Sequence, residues 1–121
     1  MSASVAEPMI ETELWVSFVS LLRAYAAAAG VNNENVWVHA NERKNSVTIS
    51  AFAVQIEMRF DPTSGGGTWE KRVAMQGVSA SSGTFAIQRA GTILINGAVK
   101  DLDHAAIELI ASVKEREKET L

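Results

Sequence analysis

At 121 residues the chain has the size of one domain able to close a hydrophobic core, and with no cysteine it does so without disulfides, thiol chemistry or cysteine-ligated zinc. Hydrophobic residues make up 47% and charged residues 21%, which excludes a disordered chain and leaves more apolar material than a small lone domain needs to bury. The net charge of −3 and the pI near 5.3, with acids and bases scattered along both halves, put no positive field on one face, so nucleic acid is not an expected partner.

Residues 1–7 carry no repeating apolar pattern and read as a flexible tail before a single α+β domain over 8–121. Pro8 at a first-turn position, with Glu11 and Glu13 near the positive end, marks the start of a helix. Ile10, Leu14, Phe18, Leu21, Leu22 and Tyr25 follow helical spacing, and Trp15, Val16 and Val19 widen the apolar sector beyond one face. Glu13, Ser17, Ser20 and Ala24 form a narrow stripe of small or polar residues on the same helix. Ser17, Ser20 and Arg23 interrupt the stretch from Leu14 to Ala29, and acids precede it, so it reads as a core helix; no membrane association is expected. Gly30 is placed to end it, followed by turn residues Asn32, Asn33 and Asn35.

From Val36 the period changes to two, with Val36, Val38 and Ala40 alternating with Trp37, His39 and Asn41. The polar run 41–46 predicts a hairpin turn into a long strand over 47–60. That strand changes face midway, which predicts a bulge or sharp bend near Ala51 to Ala53. A flexible connection over 61–67, a strand over 68–76 and a loose serine-rich loop over 77–83 follow. Residues 84–89 and 92–96 then form a hairpin about Ala90 and Gly91, and Gly97 is expected to break the sheet. Asp101 is placed as an N-cap, ahead of a helix with the apolar stripe Leu102, Ala106, Leu109, Ile110 and Val113. The expected fold is a two-layer α+β sandwich, both helices covering one face of a mainly antiparallel sheet of about five strands.

Chemistry is sparse. His39 and His104 are the two histidines, and no recognised spacing ties either to a carboxylate. Asp101, Asp103 and Glu108 near His104 are what a helix N-terminus favours in any case, and the glycines at 65–67 precede a strand where a phosphate-cradling loop precedes a helix. No catalytic, cofactor or metal residue is assigned. Trp37, His39 and Asn41 share one strand face, and the tryptophan pairs large apolar area with a donor, which makes these three the candidate partner or ligand surface.

The apolar excess points to a non-catalytic homodimeric binding or assembly module, joined by pairing sheets or by the extra apolar side of the first helix, and engaging a protein partner. The architecture resembles that of small acidic secretion chaperones, which also set helices against an antiparallel sheet and dimerise; no motif carries the resemblance, and a chaperone-like role is what it implies. One alternative is a small-molecule or lipid pocket between sheet and helices, lined by Phe52, Met58, Phe60, Met75 and Phe85. The other is an enzyme built on an unrecognised Asp, Glu or Ser site. A cytoplasmic location fits the absence of cysteine.

Overall fold

The computed structural model describes residues 2–31, 35–51, 53–73 and 78–119. Helix α1 (Ser2–Val31) is followed by seven strands, β1 (Trp37–Asn41), β2 (Ser46–Ser50), β3 (Val54–Asp61), β4 (Gly66–Val73), β5 (Val78–Gln88), β6 (Thr92–Ile95) and β7 (Ala98–Asp101), and then by α2 (Leu102–Glu119). Each strand pairs antiparallel with the next, so the sheet is a meander with spatial order equal to chain order. The α+β architecture expected from the sequence is present, with seven strands in place of five.

The extra strands have local causes. The segment 47–60 is two strands that pair with each other, so the change of face is a chain reversal; the Ala51 N–H donates to the Val54 carbonyl at 2.9 Å to close it. Asn96 and Gly97 both take positive φ (52° and 82°), which is the two-residue turn that matches strand twist, and the chain continues into β7 where a break was expected. Residues 78–83, expected as a loop, are the first half of β5. At the start of the chain, α1 runs from Ser2, drawing residues 2–7 into the helix ahead of Pro8.

The connection after β3 is a hydrogen-bonded turn. Asp61 Oδ1 accepts from the Thr63 N–H at 2.9 Å and from the Thr63 hydroxyl at 2.6 Å, and the Asp61 carbonyl accepts from the Gly65 N–H at 2.9 Å. The Thr63 hydroxyl is the main cause that holds the Asp61 carboxyl below its ordinary range, followed by the Thr63 N–H and, more weakly, Ser64.

Strand alternation sends one set of side chains to the helices. Val47, Ile49, Ile56, Met58, Phe60 and Phe85 are buried against Trp15, Phe18 and Leu22 of α1 and against Ala106, Ile110 and Val113 of α2. Trp15 stacks on Phe60 with ring centroids 5.1 Å apart and on Phe85 at 5.7 Å, fixing α1 across the sheet. The helices are tied to each other by the Tyr25 hydroxyl, which donates to the Asp103 carboxylate at 2.5 Å and so holds its proton above the usual tyrosine range.

Candidate functional site

The register places Trp37, His39 and Asn41 on the sheet face away from the helices, opposite Ser50, Thr48 and Ser46 of β2. Trp37 is 57% exposed on this edge strand and His39 is exposed. Asn41 is half-buried at the strand end, where its Oδ1 accepts from the Lys44 N–H at 3.3 Å. Trp37 and His39 therefore share open surface, whereas Asn41 belongs to a groove of about 380 Å³ between the β1–β2 turn and α1, lined also by Val16, Ser20 and Arg23.

Across β1–β4 the rest of the outer sheet face is polar, whereas on β5–β7 the register aligns Ala86, Leu94 and Val99 on it, with Val99 58% exposed. The row from His39 continues through Thr48, Glu57, Glu70 and Ser82, and its flanking row carries Gln55 and Arg72. Like charges placed opposite at Glu57 and Glu70 are balanced within each strand: Arg59 lies 3.6 Å from Glu57, and Arg72 donates twice to Glu70 at 2.7 and 3.1 Å. These pairs are largely exposed and bind one another, so the β3–β4 part of this face offers little apolar surface for a second sheet.

Helix α1 is different. Its outward face exposes Glu13, Val16, Ser17, Ser20, Arg23, Ala24, Ala27, Ala28 and Val31, with Val16 at 59% and Val31 at 83%. Over Ile10–Val31 the helix is long and apolar enough by length and composition to cross a membrane, with mean hydropathy 1.5, and 33% of that window is buried within the fold. Along it, residues 13, 17, 20, 24, 27 and 31 recur at alternating steps of four and three, the spacing of a helix-pairing seam. The sequence shows the first four of these residues as a stripe; that they face solvent and not the sheet becomes clear only once Trp15, Phe18 and Leu22 are seen in the core. The outward face of α2 carries Asp103, His104 and Glu108, with Ile107 at 42% exposure beside them.

A second opening, of about 220 Å³, lies between β3, β4 and α2, with Ile56, Met58, Trp69, Lys71 and Leu109 on its walls. Of the apolar pocket residues expected from sequence, Met58 reaches this wall, Phe60 and Phe85 are closed into the core, and Phe52 and Met75 lie outside the described residues.

Among the described residues no group of three or more His, Asp and Glu could hold a metal ion. His104 Nε2 lies 2.8 Å from Glu108, which also binds Lys100; the Lys100 ammonium is the main cause that holds the Glu108 carboxyl below its ordinary range. Fold and surface thus define a two-layer α+β meander domain whose most unusual exposed feature is a helix face. The chain matches no protein-family model, no curated protein and no solved structure.

Proposed function

We propose that the protein is a non-catalytic assembly module that forms a homodimer by packing the outward face of α1 against the same face of a second copy. The observation that carries this reading is the exposure of a helix as apolar as a membrane span, with small residues along a seam of heptad spacing. Small side chains at Ser17, Ser20, Ala24 and Ala27 let two helix axes approach to about 8 Å, where backbone and Cβ atoms of both copies make contact.

Charge selects the orientation. Glu13 and Arg23 are the charged residues on the described part of this outward face, of opposite sign and about 15 Å apart along the axis. An antiparallel pair with its two-fold axis between Ser17 and Ser20 sets Glu13 of each copy beside Arg23 of the partner subunit, whereas a parallel pair sets like charges side by side. A membrane-spanning role for the same helix would require Trp15, Phe18 and Leu22 to leave the core they anchor. A protein client would be carried by the dimer on its open sheet edge, where Trp37 and His39 are exposed.

A charge-swap series read by sedimentation equilibrium tests the reading. Glu13→Arg and Arg23→Glu each weaken self-association by roughly tenfold or more, and the double variant recovers it. If both single variants associate as the parent does, the α1 interface is wrong.

A further inference from the structure

The two helices do not cover the whole inner face of the sheet. The strand that neither helix approaches closely is β4. Its helix-side residues Trp69 and Lys71 pair in register with Met58 and Ile56 on one side, and with Gly83 and Ser81 on the other. The opening of about 220 Å³ lies over these residues, with Leu109 and Ser112 of α2 and Asn96 of the β6–β7 turn at its margin.

Three features of this opening are not explained by packing. First, Trp69 Nε1 is buried and has no hydrogen-bond partner, although a buried indole N–H ordinarily finds an acceptor. Second, Lys71 stands half-exposed on the helix side of the sheet, where alternation otherwise calls for an apolar residue, and among the described residues it forms no ion pair. Third, Trp69 and Asn96 converge over Gly83: a Cβ at that position would lie 2.6 Å from Asn96 Oδ1 and 2.9 Å from Trp69 Nε1, so any larger residue would push them apart. The floor of Ile56, Met58 and Leu109 is apolar. The site therefore combines an apolar base, a buried N–H donor without a partner and a half-exposed ammonium free to take a counter-ion.

We propose that this opening is a binding site for a small carboxylate with an apolar body, the carboxylate accepting from the Trp69 indole N–H and pairing with the Lys71 ammonium while an aryl or short alkyl group lies on Ile56, Met58 and Leu109. The size agrees: a dry cavity of about 150 Å³ holds a benzene-sized guest, which leaves room here for the charged end as well. A neutral apolar ligand would leave both polar groups unmatched, and an inorganic anion would leave the floor uncovered.

The three tryptophans of the chain provide the readout. In a ¹H–¹⁵N correlation spectrum of the full chain, titration with phenylacetate or hexanoate to about 10 mM shifts the Trp69 indole cross-peak, identified by its loss in Trp69→Phe, and leaves those of Trp15 and Trp37 in place. Lys71→Gln weakens binding of phenylacetate by roughly tenfold and changes binding of its neutral amide much less. Trp69→Phe keeps an aromatic ring and Lys71→Gln a polar side chain of similar length, and an unchanged spectrum elsewhere establishes that the fold persists. Should neither acid move the Trp69 cross-peak, or should Lys71→Gln bind phenylacetate as tightly as the parent, the proposal is overturned.

Discussion

Trp15 lies between the rings of Phe60 and Phe85 at 4% exposure, and Trp37 stands on an edge strand at 57%, so one residue type plays two opposite parts. Replacing Trp15 with Ala empties the centre of the aromatic cluster and costs about 4 kcal/mol in urea unfolding, whereas Trp37→Ser changes stability by less than about 0.5 kcal/mol. A smaller gap between the two variants would mean that α1 is not anchored through Trp15. Acid sensitivity also belongs to single residues. Asp61 and Glu108 both have carboxyls held below their ordinary ranges in the fold, so each adds stability that is present above its unfolded value and lost as pH falls through the folded one. Both side chains are exposed and screened, so their contribution is modest. Thermal midpoints of Asp61→Asn with Glu108→Gln should start lower at neutral pH and fall less steeply below pH 4.5 than those of the parent; parallel curves would contradict this. The alternation of β1 told in advance that Trp37 and His39 share a face, because a period of two leaves no other choice. The unmatched N–H of Trp69 was not legible, since Trp69 occupies a helix-side position like its apolar neighbours and its lack of an acceptor depends on residues far away in the chain.

Elements were readable where punctuation and period agreed. The polar turn expected over 41–46 appears at 42–45, and the reversal at Ala90 and Gly91 and the C-terminal amphipathic helix appear as expected, because turn residues and period agree there. Two misreadings had physical sources. Ala51 to Ala53 contains neither Gly nor Pro, so a chain reversal there resembles a bulge, and the pairing of Ile49 with Ile56 across it is a tertiary fact. Asn96-Gly97 is a strong hairpin signal, but the strand after it, Ala98–Asp101, has one large apolar side chain, Val99, and that one points to solvent at 58% exposure. The turn makes its own prediction. Gly97 has φ of 82° and open space where a Cβ would go, so Gly97→Ala suffers backbone strain alone and costs about 1 kcal/mol in chemical denaturation. A neutral effect would show that the turn relaxes to another type.

At the scale of the whole molecule, apolar content beyond the needs of one core was visible from composition, and the fold locates part of it: beyond Trp37 the outer face of β1–β4 is mostly charge and hydroxyl, Leu94 and Val99 lie on the outer face of β6 and β7, and α1 keeps Val16, Ala24, Ala27, Ala28 and Val31 in the open. Composition could not say which surface held the excess, because the small-residue stripe of α1 looks the same whether it meets a sheet, solvent or another helix. The proposed dimer accounts for that stripe through close helix approach and for Glu13 and Arg23 through their opposite signs. It leaves the Trp69 opening, between the sheet and α2, free for a ligand. The most direct test is the mass of the chain in solution, by sedimentation equilibrium at micromolar concentration, for the parent and for Ala24→Glu. The account predicts twice the 13.0 kDa chain mass for the parent and a folded single chain for the variant, whose added acid lies beside Glu13 of the partner subunit. A parent protein that sediments at 13.0 kDa across that range contradicts it.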